Sequence, residues 1–291
     1  MNRSSLISPV LDPGQPQGRR LWTILGTLTI VFVILGSALP IFPSMQEPSP
    51  NSLQPAEQNQ NSSGGIATPH LDEMTERLSF DTWMLLIVHS VFGLEPPPRE
   101  QNTFGWWLFQ IRKISKTTTD LARGEVVLGI MLLASLLARF AGFSEIAKRK
   151  IYAGFLGMLV AGFVTWVIKI GTGRVRPNGL FYQGNINWDP LSLENLHHSF
   201  PSGHATAAGA LMMFLIIGFP RFRFVWIGFA LWICVTRVLT GNHWPTDTAM
   251  GLFLGSFCVA LLTAWVQTRT IARSQEPELY QSSRETVLPV E

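Results

Sequence analysis

Repeated apolar runs long enough to cross a bilayer limit what this chain can fold into more than any other feature. In hydrocarbon every backbone N–H and C=O has to be satisfied by the protein itself, so a spanning chain folds as helices or as a closed barrel. Runs of about 20 apolar residues suit helices, because a tilted barrel strand needs only about 10. Six runs are expected to span, over 21–42, 124–143, 151–170, 205–219, 223–240 and 248–267. The predicted fold class is all-α, a polytopic membrane protein with six transmembrane helices. With 47% hydrophobic and only 14% charged residues, the chain is too apolar for an ordinary soluble domain.

Residues 1–20 are polar, carry Arg3, Arg19 and Arg20, and read as a cytoplasmic tail before the first transmembrane helix at 21–42. A cleaved signal peptide competes for that run, since Gly36, Ser37 and Ala38 are small, but the run exceeds the usual apolar length of such peptides. Residues 43–70 are rich in Pro, Ser, Asn and Gln and predict a disordered extracytoplasmic linker. The tract 71–123 reads as an amphipathic interfacial region: Trp83, Leu86, Ile87 and Val91 fall near helical spacing, and Trp106 and Trp107 precede Arg112, Lys113 and Lys116. A short helix near 80–94 packed on the bundle is the other reading. Residues 124–267 form the expected core of five transmembrane helices, and 268–291 a cytoplasmic tail.

Basic residues at 148–150, at Arg221 and Arg223, and at Arg269 and Arg273 fall on the same side as the N-terminal arginines, which makes that side cytoplasmic. The net charge of +3 is small and scattered over loop ends, so nucleic acid is not an expected partner. Cys234 and Cys258 lie inside apolar runs and read as buried thiols.

The opposite face collects the polar residues of interest. Lys169 closes the third run and is followed by Arg174 and by Arg176-Pro177. Pro201, Ser202, Gly203 and His204 open the fourth, where unpaired helix N–H groups favour an anion. Thr236-Arg237, His243 and Asp247 follow at the junction of the last two runs. Taken alone, Lys169 can be a snorkelling side chain, and His243 with Asp247 can be a surface pair at a helix start.

The spacings K-x6-R-P, P-S-G-H and T-R-x5-H-x3-D resemble the type 2 phosphatidic acid phosphatase superfamily, whose membrane members share a helical core with vanadium-dependent haloperoxidases and bacterial acid phosphatases. The resemblance covers roughly 124–267 and, more weakly, 80–94. Thr236 stands where the family most often has Ser and keeps the hydroxyl.

The resemblance implies a metal-independent phosphatase that needs no cofactor and acts on a membrane lipid phosphate. Lys169, Arg176, Ser202, Gly203 and Arg237 are the expected phosphate-binding residues. Among the catalytic residues, His243 is the expected nucleophile, Asp247 orients its ring, and His204 protonates the leaving group. Asp189, Glu194 and Asp247 are too scattered to cage a metal ion, and His197 and His198 read as loop histidines.

The expected location is the bacterial inner (plasma) membrane, with the site facing the periplasm or exterior. Phosphatidic acid, phosphatidylglycerol phosphate, isoprenyl diphosphate and lipid A phosphate are the candidate substrates. The loop 178–199, with Leu180, Phe181, Tyr182, Trp188 and Leu191, is expected to shape that choice. Lipid phosphotransfer through the same phosphohistidine, and non-catalytic lipid binding on the same fold, are the alternatives.

Overall fold

The computed structural model describes residues 7–38, 42–43, 77–92, 104–140, 142–177, 179 and 188–285. Eight α-helices of eight or more residues lie among them: α1 Pro16–Ala38, α2 Phe80–Phe92, α3 Phe104–Thr119, α4 Gly124–Phe140, α5 Glu145–Thr172, α6 Gly203–Gly218, α7 Arg223–Leu239 and α8 Pro245–Glu285. The described residues also contain short 3-10 turns at Asp120–Ala122, Asn195–His197 and Pro220–Phe222 and a two-residue antiparallel pairing of Phe42–Pro43 with Arg77–Leu78. Most of the expected linker at 43–70 lies outside the described residues.

The helix limits follow local chemistry. The Ser144 side chain caps α5 by accepting from Ala147 N at 3.2 Å. The same helix stops at Gly173, whose φ of 58° suits a residue without Cβ. A Cβ there would also lie 1.6 Å from the Asp189 carbonyl oxygen, so the loop closes directly over this glycine. Ser202 caps α6, and Pro245 opens α8 with Asp247 in its first turn. Beyond Gln267, where a tail was expected, α8 continues to Glu285.

Helices α5, α6 and α8 form the centre of the bundle. Apolar burial does not drive helix pairing within lipid, so close backbone approach through small residues matters instead. Gly251 and Gly255 on α8 lie so near α6 that an added Cβ would meet the Ser202 and Thr206 carbonyl oxygens at 2.5 and 2.0 Å. Around this seam one buried cluster joins Met131 of α4, Met158 of α5, Met213 of α6 and Val259 of α8. A second joins Ala208 and Met212 of α6 to Ala230 and Ile233 of α7. Helix α1 packs through Trp22 against Phe253 and Phe257 of α8. Large apolar side chains on the outer faces, including Leu133, Leu137, Phe163 and Trp166, are exposed, as a lipid-facing surface requires.

Among the described residues four helices are long and apolar enough to cross a membrane: Pro16–Ser37, Glu145–Thr172, Pro220–Leu239 and Pro245–Thr270. Trp106–Thr119 and Gly124–Phe140, bent by 44° at their junction, pass that test only as a pair and make up to five. The expected fourth span is the 16-residue α6. At 1.5 Å per residue it is about 24 Å long, short of the roughly 30 Å hydrocarbon core, because it starts at the Ser202 cap. The Gly255→Val variant should lose about 1–3 kcal/mol or more through overpacking, lowering the thermal midpoint in detergent. An unchanged midpoint would mean that α6 and α8 can separate at no cost.

Candidate active site

The polar end of the bundle is organised by two short backbone links. Ser199 N donates to Arg174 O at 3.0 Å and Arg176 N to Leu196 O at 2.9 Å, which lays 174–176 beside 196–199. Ser202 N donates to Asp247 O at 3.0 Å, so the turn before α6 is fastened to the first turn of α8. Within that turn the Phe200-Pro201 peptide bond is cis.

Ser199 is the meeting point. Its carbonyl oxygen accepts from His243 Nδ1 at 2.8 Å and from Lys169 Nζ at 3.5 Å, and its hydroxyl donates to Asp247 Oδ2 at 2.5 Å. Lys169 Nζ also donates to His198 O at 2.8 Å. A carbonyl can only accept, so Nδ1 carries the ring proton and Nε2 keeps its lone pair. His243 Nε2 has no hydrogen-bond partner among the described residues.

The sequence reading expected the Asp247 carboxylate to hold this ring directly. It lies 3.5 Å from Nδ1, and the nearer acceptor is the Ser199 carbonyl. Asp247 Oδ2 also accepts from the Ser199 hydroxyl, so the carboxylate and the ring are tied to the same residue as well as facing each other. Its Oδ2 also accepts from Trp244 N at 3.0 Å, which holds the loop carrying His243.

Among the expected phosphate ligands, Arg237 is almost fully buried and its Nε has no hydrogen-bond partner among the described residues. One terminal nitrogen reaches Thr119 Oγ1 at 3.4 Å. An orphaned buried donor is costly unless something occupies it. Arg176 is half-buried and held by Asn195, with Nε donating to the backbone oxygen at 3.0 Å and a terminal nitrogen to Oδ1 at 2.9 Å. Ser202 is buried, and its oxygen accepts from Ala205 N at 3.4 Å, leaving the hydroxyl proton uncommitted. A Cβ built at Gly203 would meet nothing within 4 Å, so there is open space at the start of α6. His204 is half-buried there, without a hydrogen-bond partner among the described residues. Thr236 is buried and bonds back to Ile233 O at 2.7 Å, facing its own helix rather than the open space.

Arg174 has the largest set of partners, and the sequence reading gave it no role. One terminal nitrogen donates to Asp247 Oδ1 at 2.6 Å and to Thr246 Oγ1 at 2.7 Å, and the other to Asp81 Oδ2 at 2.6 Å. The guanidinium lies 5.3 Å from the Trp188 ring and 5.4 Å from the Trp244 ring. Asp81 comes from α2, whose Leu85 packs on Trp244, so this short helix is part of the bundle floor. A lone Asp in an otherwise apolar helix is the signal that could have marked it.

His197 and His198 belong to their own loop: His198 Nε2 lies 2.8 Å from Ser192 O, and His197 Nε2 lies 3.9 Å from Glu194. Leu180, Phe181 and Tyr182 of the expected selectivity loop lie outside the described residues.

A family model described as the PAP2 superfamily matches residues 152–271. Decaprenylphosphoryl-5-phosphoribose phosphatase of Mycobacterium tuberculosis is 32% identical over 157 residues, 52% of this chain and 80% of that protein. The chain belongs to the PAP2 superfamily.

Other PAP2 relatives align over less of their length. Lipid A 1-phosphatase of Rhizobium johnstonii is 36% identical over 115 residues, 40% of this chain and 47% of that protein. The chain thus spans about half the length of the first curated relatives it matches. Among solved structures, Aquifex aeolicus LpxE superposes with a TM-score of 0.40 at 18% identity, covering 64% of this chain and 94% of that one.

Burial pushes the His243 imidazole down to about 3, aided by the charges of Lys169 and Arg237 and opposed by Asp247. Arg176 is lowered, by burial above all, with Asp247 opposing. Burial raises the Asp81 carboxyl against the pull of Arg174, while on Arg174 the two carboxylates outweigh burial and raise it. An unfolded imidazole takes up its proton near pH ~6.5, whereas the folded His243 ring does so only near 3, so stability must fall as pH drops between those values. The thermal midpoint should therefore fall on acidification more steeply in the natural protein than in His243→Gln. Equal slopes would mean the ring titrates like a surface histidine.

Proposed function

We propose that this chain is an integral membrane lipid phosphate phosphatase working through a phosphohistidine on His243. The observation that carries this reading is the fixed His243 ring. Its Nδ1 proton is tied to the Ser199 carbonyl, which leaves the Nε2 lone pair free at the bundle end that holds Lys169, Arg176 and Arg237.

Phosphoryl transfer spreads charge over three equatorial oxygens, so catalysis rests on placing cations and N–H donors around them. Arg237 has a vacant buried donor, and the Gly203 and His204 N–H groups open α6 beside free space. The planar forks of Arg176 and Arg237 match phosphate oxygens in pairs, and the Lys169 ammonium adds a point charge.

In the first step His243 Nε2 forms a bond to phosphorus as the ester P–O bond breaks, and the departing oxygen takes a proton from His204. In the second, water attacks the phosphohistidine, the P–N bond breaks, and His204 recovers a proton from that water. Phosphate and the free imidazole result. Among the described residues no group of three His, Cys, Asp or Glu side chains is placed to hold a metal ion, and none of these steps calls for one.

Our reading of topology keeps six spans, with the bent pair counted once and α6 as a short, recessed span. The basic residues Lys148, Arg149, Lys150, Arg221, Arg223 and Arg269 sit at the opposite end from His243, which supports an extracytoplasmic site in the inner membrane of a bacterium. Of the four candidate lipid classes, the Rhizobium relatives favour a lipid A phosphate, and the mycobacterial one likewise acts on a sugar phosphate joined to a lipid.

The test is phosphate release by the purified protein from phosphatidic acid, phosphatidylglycerol phosphate, an isoprenyl diphosphate and lipid A, with and without EDTA. Release should be fastest from lipid A and indifferent to EDTA. The His243→Ala variant should lose ~10³-fold or more on every lipid, and His204→Ala about 10²–10⁴-fold. Labelled phosphate retained wholly in lipid would replace hydrolysis by phosphotransfer, and turnover surviving in His243→Ala would overturn the nucleophile.

A further inference from the structure

We propose that Asp81 is a positioning residue for this reaction: by sharing the Arg174 guanidinium, it leaves the Asp247 carboxylate with uncompensated negative charge toward the Ser199–His243 pair. The inference rests on the phosphohistidine reading and goes beyond it, because Asp81 lies outside residues 152–271, where the PAP2 family model matches.

The geometry is a buried chain of charges. Arg174 donates at 2.6 Å to Asp81 on one side and at 2.6 Å to Asp247 on the other, and the three side chains are 6%, 1% and 0% exposed in the order Arg174, Asp81, Asp247. Thr246 cross-links them. Its hydroxyl accepts from Arg174 and donates to Asp81 Oδ2, and its backbone N donates to Asp81 Oδ1 at 3.2 Å. Both oxygens of Asp81 are thus committed to this cluster, and neither is turned toward the open space at α6.

The three groups together carry one net negative charge. With Asp247 as its sole partner, Arg174 would form a neutral pair behind His243. When Nε2 takes the phosphoryl group while Nδ1 keeps its proton, the ring becomes positive. In a site shielded from water, a net negative cluster whose Asp247 oxygen lies 3.5 Å from Nδ1 stabilises that charge far more than a neutral pair does. Asp81 therefore contributes to a charge that develops during the reaction, not to the binding of lipid.

A merely structural role, pinning α2 to the bundle, predicts something different. Asp81→Asn keeps the shape and removes the charge, while Asp81→Glu keeps the charge at a strained length. Phosphate release would be measured for both as a function of lipid concentration, alongside the natural protein and His243→Ala. Asp81→Asn should lower kcat about tenfold or more with KM within about twofold, the pattern of an interaction made only in the transition state. Asp81→Glu should recover to within about threefold of the natural kcat.

Natural kcat in folded Asp81→Asn, or equal losses in the Asn and Glu variants, would overturn the inference. Should Asp81→Asn fail to fold, Arg174→Lys makes the test from the other side. A lysine keeps the positive charge and with it the net negative charge of the cluster, so kcat should stay within about threefold of the natural value at constant KM. A tenfold or larger loss of kcat in folded Arg174→Lys would equally overturn it. Absence of turnover in the natural protein would remove the phosphatase reading and this inference together, whereas normal turnover lost in His243→Ala but unchanged in Asp81→Asn would remove the inference alone.

Discussion

The polar end of this bundle depends on one buried cation. Arg174 is about 5% exposed, lies between two tryptophan rings, and is gripped by carboxylates from α2 and α8. Burying an ion costs several kcal/mol, and removing one member of such a cluster strands the others at a penalty of about 3–5 kcal/mol. The arrangement holds because nearly every donor and acceptor in it is used: Thr246 serves both Arg174 and Asp81, and Trp244 N and the Ser199 hydroxyl occupy the second Asp247 oxygen. A network that is satisfied throughout is rigid, and the rigidity here extends to the His243 loop.

From Arg174 the ordering passes to Ser199. The Arg174 carbonyl accepts from Ser199 N, Asp247 takes the Ser199 hydroxyl, and the Ser199 carbonyl sets the His243 ring. Lys169, in the last turn of α5, reaches the same carbonyl and its neighbour at His198. Two helices and two loops thus meet at one serine, and the close α6–α8 seam at Gly251 and Gly255 keeps them in register.

Much of the helical layout was legible in the sequence, because apolar run length alone marks a helix that faces lipid. The expected run at 151–170 lies inside α5 and that at 223–240 matches α7 to within one residue, and Lys169, His204, His243 and Asp247 are brought to one end of the bundle. Ends were harder to read. Ser144 caps α5 ahead of the basic cluster at 148–150, so residues expected in a loop are helical, and α6 starts at Gly203, two residues ahead of the expected run.

The site's supporting contacts were not legible, since they join residues far apart in the chain. Asp81 and Thr246 are separated by 165 positions. Ser199 acts through its carbonyl, which every residue type possesses, so no spacing pattern could single it out. Arg174 stands between two motif positions and looked like one more loop cation.

The order in which the charges are synthesised adds a consequence of its own. A ribosome makes Asp81 first, Arg174 next and Asp247 last, with the whole of α6 and α7 between the second and third. When Arg174 is made, Asp81 already exists as a counter-charge for it, whereas Asp247 does not. Asp247 then docks on a cation whose partner is in place. Helix α8 thus brings the second carboxylate to a cation whose first partner precedes it in the chain, and His243, four residues ahead of Asp247, comes with it.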